Sequence, residues 1–504
     1  MRRLSLALLT LALPLSAGMA QPVIEASAPE AVAVTIYRNP DRGEGGIDMR
    51  WLSGFALVSE TRTVTLPAGD ARIAFEGVAD GMVAVSAIVT GLPGGVAQKD
   101  RDARLLSPAA LVDGSLGDRV HLRRTNRTTG QVVEHDAVIR SSSGGALVLQ
   151  TAQGIEALRC SGLPETVTFD RVPQGLSARP RLSVTTTSPA AASARITLTY
   201  LATGFDWGAD YVAKVDPKAG TLSLFAWLTV ANTNSVGFTG SSLQVVAGRL
   251  NRSSDFAALD GDDPAPELRL QCWPLETTGT DVPMQSPPPA PPMMASMAQE
   301  IVVTAQRRAG AVMAVQEELG DLKLYRVPVR VDVNANGQKQ VALLEKSDVP
   351  FQLIHTADLW VDQAVEGSQP TYRILRLRNR LETGLGLPLP AGRIAVMEGR
   401  AQTVLLLAQG ALRDHAVGET VELPAGDSAT LRFTTRPPGP DGRGRIDLTN
   451  ANAEPIRMEF SLRGGDDRRI SGRGVARKDG KWLWTVTVPA NGSVSLDYRI
   501  SPSS

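Results

Sequence analysis

Two aspartates four residues apart, Asp206 and Asp210, flank Trp207 in the run YLATGFDWGADYVAKVD from Tyr200 to Asp216. Paired carboxylates beside an aromatic ring suggest glycoside hydrolysis, in which one acid protonates the leaving oxygen and the other is nucleophile or base. On a regular strand, however, four residues span about 13 Å. Retaining enzymes hold their carboxyls about 5.5 Å apart and inverting enzymes about 6.5–9.5 Å. Only a sharp bend at Gly208 would bring the pair together, so Trp207 and Tyr211 read more simply as core anchors. His121 and His135 lie symmetrically about a turn near Thr128 and would face one another across a hairpin. With Glu134 or Asp136 they would make a sparse zinc set. Adjacent strand residues point to opposite faces, so neither acid joins His135 naturally, and two solvated imidazoles are the simpler reading. The acidic turn Asp260-Gly261-Asp262-Asp263 lacks the spaced ligands and terminal Glu of a calcium loop. Serine-hydrolase elbows, His-Glu-x-x-His, paired Cys-x-x-Cys and Gly-rich phosphate loops do not occur. No catalytic residue, cofactor or metal is therefore assigned. A non-catalytic interaction or structural module is expected, with a cell-wall or polysaccharide-acting hydrolase as the alternative.

One segment has the chemistry of recognition. Glu300-Ile301-Val302-Val303-Thr304-Ala305 is a β-branched run followed by Gln306-Arg307-Arg308, and it lies in the composition break Trp273 to Leu319, directly after its Pro-rich core VPMQSPPPAPPMMASMAQE. A short apolar strand in an extended tether can complete the sheet edge of a partner through its free backbone groups. It can equally dock back onto its own sandwich. The segment resembles the TonB box of outer-membrane TonB-dependent receptors, and that resemblance implies an envelope partner of TonB type.

Composition restricts the partners. Lys plus Arg and Asp plus Glu are both 52, giving zero formal charge, so no basic excess favours nucleic acid or an anionic membrane. The N-terminus reads as a signal peptide over residues 1–20. Arg2 and Arg3 precede the apolar run Leu4 to Leu15, and Gly18-Met19-Ala20 offers a small-residue cleavage site before Gln21. No later run approaches 18 consecutive apolar residues, so stable membrane insertion is not expected, and the mature chain should lie in the periplasm or at the envelope surface. In that oxidising setting Cys160 and Cys272 are either a disulfide or two separate buried thiols. A bond between them would close a loop of about 110 residues and contribute at most roughly 4–5 kcal/mol.

The elements that position these residues are strands. Alternating Val, Leu, Ile and Thr runs, broken by Gly, Pro and Asn, recur along the chain, and helical periodicity is confined to Ala311 to Leu319. A hairpin pattern repeats as VTLPAGDARIAF (Val64 to Phe75) and VELPAGDSATLRF (Val421 to Phe433), with looser copies at Val331 to Leu344 and Val486 to Tyr498. Upstream of each lies a strand running into an Asn-containing turn, VTIYRNP ending at Pro40, LTVANTN at Asn234, LRLRNR at Arg380 and IDLTNAN at Asn452. The fold class expected is all-β, with tandem immunoglobulin-like sandwich modules, a small SH3-like barrel and a long Pro-rich loop. The expected order is a β module over 21–104, the barrel over 105–180, a sandwich over 181–365 carrying a disordered loop at 273–319, and a C-terminal sandwich over 366–504.

The Tyr200 to Asp216 run, FAWLTVANTNSVGFTGSSLQVVAGRLNR (Phe225 to Arg252), LGDLKLYRVPVRVDVNANGQKQVALLE (Leu319 to Glu345) and LRLRNRLETGLGLPLPAGRIAVMEG (Leu375 to Gly399) occur in that order. Together they resemble the domain of unknown function 4139 family, which includes mucoidy-inhibitor-A-like proteins, from about residue 190 to the C-terminus. The coiled-coil N-terminal region common in relatives is replaced here by β-rich sequence. The resemblance implies a β-sandwich envelope protein and brings no established activity or catalytic residues.

Overall fold

In the computed structural model the alternating runs become strands almost throughout: 66% of the described residues are strand and 3% are helix. The structure describes residues 22–502 apart from 40–45, 103–105, 107, 126–128, 142–146, 159–164, 174–175, 249–312, 320–321, 364, 401–402, 465–467 and 479. The chain is all-β, as expected from its period-2 patterning. The helical periodicity at Ala311 to Leu319 is overruled, because Val315–Leu319 is a strand paired with Leu322–Arg326. Its backbone groups find a neighbouring strand, and this outweighs a propensity too short to nucleate a helix. The one α-helix among the described residues, Pro108–Gly114, has no counterpart in the sequence expectations.

Chain contacts divide the described residues into two units, one of 22–31 and 59–201, the other of 32–58, 202–248 and 313–502. The first unit contains a four-stranded sheet in the order Val23–Glu25, Gly69–Glu76, Arg181–Ser188, Gln98–Asp102. It also contains a five-stranded sheet in the order Gly154–Leu158, Leu147–Thr151, Val132–Ser141, Arg119–Thr125, Glu165–Phe169. Four consecutive strands of that second sheet form a meander and the fifth returns to pair with the first, as in SH3-like barrels. Val120, Leu122, Ala137, Ile139 and Leu149 form its core, with Val112 from the helix. Elsewhere in the unit a carboxylate is buried outright. Glu60 accepts from Arg62 Nε and Nη2 at 2.9 and 2.6 Å and from the Tyr200 hydroxyl at 2.9 Å. Arg62 also donates to the Ser27 and Glu76 carbonyls, so both buried charges are satisfied.

Another sheet runs Val315–Leu319, Leu322–Arg326, Phe238–Ala247, Ala31–Tyr37, Gly54–Leu66, Ala192–Asp216, Thr221–Asn232, Gly337–Pro350. Gly392–Arg400 pairs in parallel with Ala192–Asp216, and Thr403–Leu412 completes a ribbon beside it. The other sheet has nine strands between Arg468–Gly472 at one end and Val475–Lys478 at the other. Leu496 and Tyr498, near one end of that order, share a core with Trp484 near the other. The sheet therefore folds over on itself as a sandwich.

The recurring Gly-turn pattern does not make hairpins. Gly54–Leu66 and Gly69–Glu76 flank the first copy but belong to different sheets. Val331–Val333 pairs with Phe238–Ala247, whereas Gly337–Pro350 pairs with Thr221–Asn232. Lys481–Val488 and Ser493–Pro502 also pair with other strands and not with each other. These three are arches that carry the chain from one pairing surface to another. The Val421 to Phe433 copy is a single irregular strand, Thr420–Arg436, in which Gly426 (φ +83°) accompanies register shifts against Gln369–Arg378. A bulge of this kind needs one residue in a conformation that glycine adopts freely.

The Asn turns explain two of these arches. Asn232 is buried and donates from Nδ2 to the Val236 and Asn334 carbonyls, while its Oδ1 accepts from the backbone and side chain of Asn234. Asn450 does the same with Glu454, Pro489 and Asn452. Each Asn side chain thus ties a strand end to the arch packed against it.

Candidate functional site

Several residues singled out by sequence lie outside the described residues. These are the tether strand Glu300, Ile301, Val302, Val303, Thr304 and Ala305, the two cysteines Cys160 and Cys272, the signal segment, and the acidic turn Asp260 to Asp263. The frame around the tether is described. Phe238–Ala247 and Val315–Leu319 are both antiparallel neighbours of Leu322–Arg326, with Ala247 opposite Lys323 and Val315 opposite Arg326. Two strand spacings and three residues of offset put the exit and re-entry points on the order of 15 Å apart. The described strands before and after residues 249–312 therefore lie in one sheet, on the two sides of a single strand.

Close to that exit, Trp207 is fully buried and donates from its indole Nε1 to the Val246 carbonyl at 3.0 Å. Its ring lies 6.0 Å from that of Tyr325, and the Arg38 guanidinium carbon sits 5.8 Å from its centroid. Tyr211 is buried on the same row of the strand and donates to the Pro390 carbonyl at 2.7 Å. Burial pushes the Tyr211 phenol well above its ordinary range, so it stays a neutral donor. The neighbouring carboxylates are already engaged. Asp206 accepts from the backbone N–H of Asn39 and Trp207 at 3.2 and 2.8 Å. Asp210 accepts from the Thr229 hydroxyl at 2.6 Å and from Arg393 Nε at 3.0 Å. The arrangement locks a strand into its sheet, and Trp207 and Tyr211 anchor the core.

Sequence reasoning passed over Arg38. This side chain is nine-tenths buried, paired to Asp414 at 2.6 Å, and its Nη1 makes no hydrogen bond. Asp414 in turn accepts from the Ala391 N–H at 2.8 Å. Only the position of Arg38 at the end of an alternating strand, next to Asn39, could have signalled this role.

The histidine pair is arranged differently from the sequence expectation. His121 is opposite Asp136 and Leu122 is opposite His135, so the two imidazoles are on different faces of the sheet. His121 Nδ1 lies 2.8 Å from Asp136 Oδ1 and Nε2 lies 2.8 Å from Asp170 Oδ1. An ionised carboxylate only accepts, and a neutral imidazole has one donor, so both bonds together require the imidazolium. Asp170 first and Asp136 second raise the His121 pKa, and Arg119 stands 3.3 Å from Asp136 on the same surface. The two ring nitrogens point apart, and among the described residues no group of three ligating side chains is placed to hold a metal ion.

The geometry defines an all-β, multi-sheet protein whose exceptional polar groups tie strands together. No family model matches the chain, and no curated protein matches it.

Proposed function

We propose that this chain is an exported, non-catalytic envelope protein that presents residues 300–308 to a partner for strand addition. The observation that supports this most directly is the tether's frame. The described strands before and after the 64 residues 249–312 lie in one sheet, on the two sides of Leu322–Arg326. A segment anchored at both ends to a stable sheet can be captured without disturbing the core, and Ile301 to Ala305 has the β-branched, uncharged character that a partner's sheet edge accepts. The likeness to a TonB box makes a TonB-type periplasmic domain the partner of choice, and the likeness to the domain of unknown function 4139 family fits an envelope location. Engagement of Asp206 and Asp210 in fixed structural bonds favours this role over hydrolysis.

Calorimetric titration of the purified chain with the periplasmic domain of TonB tests the proposal. Val303→Pro removes a backbone donor and fixes φ, so it should abolish binding, while Thr304→Ser should retain it. Both variants should keep the wild-type circular-dichroism spectrum. No heat of binding from the wild-type chain at high micromolar concentration, or equal binding by Val303→Pro, would refute it.

A further inference from the structure

His355 and Arg373 stand directly opposite one another in the antiparallel pair Gln352–Trp360 and Gln369–Arg378, so their side chains leave the same face of the sheet. His355 is 8% exposed. Among the described residues neither side chain makes a hydrogen bond or an ion pair, and Arg373 Nε is buried without an acceptor. Burial first, and the Arg373 charge second, hold the imidazole pKa at about 4, so near pH 7 the ring is neutral with one N–H to donate. The carboxylates of the neighbouring strands lie on the other face. Arg376, three positions on, leaves that face and is bound there by Glu422 and Glu459. Asp427 is opposite Tyr372, which shares that face with Arg376. On the flank of His355 away from Arg373 the opposing residue is Met458. Facing Arg373, the Thr420–Arg436 strand bulges at Gly426. A methyl group there would stand 3.5 Å from Arg373 Nη2 and 3.1 Å from the Leu407 carbonyl, so the glycine leaves room beside the guanidinium.

We propose that His355 and Arg373 form a binding site for an oxyanion, held between the imidazole N–H and the guanidinium. A buried guanidinium nitrogen with no acceptor costs free energy, and a nine-tenths buried imidazole beside a like charge adds to that cost. An oxyanion removes both penalties. Carboxylate, sulfate and phosphate oxygens each accept from more than one N–H of the guanidinium fork, and the imidazole supplies a further donor from the facing strand. The bound negative charge also favours the imidazolium, which strengthens the second contact. Residues 300–308 take no part in this site, which stands apart from the role proposed for them.

Imidazole NMR of the intact chain, titrated with inorganic phosphate at constant ionic strength, tests this. The His355 resonance should shift and saturate with a Kd of about 1 mM, and its pKa should rise, while the His135 resonance stays in place as the control. Arg373→Gln should weaken the binding at least about tenfold. In phosphate-free buffer the same variant should unfold at a urea concentration no lower than wild type, because the guanidinium has no partner to lose. Parallel titrations with sulfate and acetate identify the group. Saturation by phosphate and sulfate alone assigns a tetrahedral oxyanion, and saturation by acetate as well extends the site to carboxylates. A His355 resonance that none of the three anions saturates at tens of millimolar overturns the proposal, as does a shift that His135 shares. Phosphate binding that Arg373→Gln leaves intact, or a lowered urea midpoint that makes Arg373 a structural residue, also overturns it.

Discussion

Asn336 and Asn491 hold the same left-handed backbone conformation, at φ +45° and +47°, in arches 155 positions apart. The Asn336 N–H donates to the Asn234 carbonyl at 3.1 Å, and the Asn491 N–H donates to the Asn452 carbonyl at 2.9 Å. Asn232 and Asn450 complete the correspondence by donating to the carbonyls of Asn334 and Pro489, each two residues before its left-handed asparagine. Matching bonds at matching positions mark these as two copies of one strand-and-arch device. A single turn of the chain would not need four buried or left-handed asparagines in the same arrangement.

The device predicts opposite responses at its two kinds of asparagine. Asn450→Ala removes a buried amide whose Nδ2 donates to the Glu454 and Pro489 carbonyls and whose Oδ1 accepts from Asn452, and should cost roughly 1–3 kcal/mol. Asn336→Gly should stay within about 1 kcal/mol of wild type, because glycine accepts positive φ, whereas Asn336→Val should destabilise by at least about 1–2 kcal/mol. Urea unfolding of the three variants measures each.

The buried Glu60–Arg62–Tyr200 group should behave as one unit. Arg62→Ala leaves the Glu60 carboxylate without its charge partner in the interior and should cost about 3–5 kcal/mol. Replacing both charges with apolar residues, Glu60→Leu together with Arg62→Met, should recover most of that loss. A double variant less stable than Arg62→Ala alone would contradict this account of the cluster.

Trp207 is fully buried between the Val246 carbonyl and the Tyr325 ring. Trp207→Ala should therefore cost roughly 3–5 kcal/mol. Differential scanning calorimetry reads the effect, and an unchanged Tm would contradict the packing.

Two histidines should give the chain opposing pH responses. His121 is held as an imidazolium by Asp170 and Asp136, so its folded pKa is raised. Its contribution is complete below the unfolded value and disappears as pH rises through the folded one. His355 is the reverse. Burial first, and Arg373 second, lower its pKa to about 4. The unfolded chain takes up that proton first, so stability falls as pH drops from about 6.5 towards the folded value. His355→Gln should flatten the acid side of a urea-midpoint profile, and Asp170→Asn should lower the His121 pKa followed by NMR.

Strand content was legible in the sequence because alternation is a local property, visible at Val64 and Leu66 as much as at Trp207 and Tyr211. Pairing was not. The Gly69 and Gly492 turns look like hairpin turns, but which edge each flanking strand uses is decided by distant partners such as Arg181–Ser188 and Arg443–Asn450. The error at His121 has a related origin. A one-residue change of register exchanges Asp136 for His135 across the hairpin, and no local signal fixes that choice. Arg38 was illegible for another reason, since its partners Trp207 and Asp414 are far away in sequence.

The frame of residues 249–312 also has a mechanical meaning. A pull on that interval enters the sheet at Ala247 on one side of Leu322–Arg326 and at Val315 on the other. Phe238–Ala247 is gripped from both flanks, by Leu322–Arg326 and by Ala31–Tyr37. Val315–Leu319 is five residues long and, among the described residues, forms a ladder with one strand only, the Ala314 N–H before it adding one bond to the Ala342 carbonyl at 3.0 Å. Tension would therefore strip the short strand first and lengthen the reach of the tether, while the longer strand kept the sandwich intact.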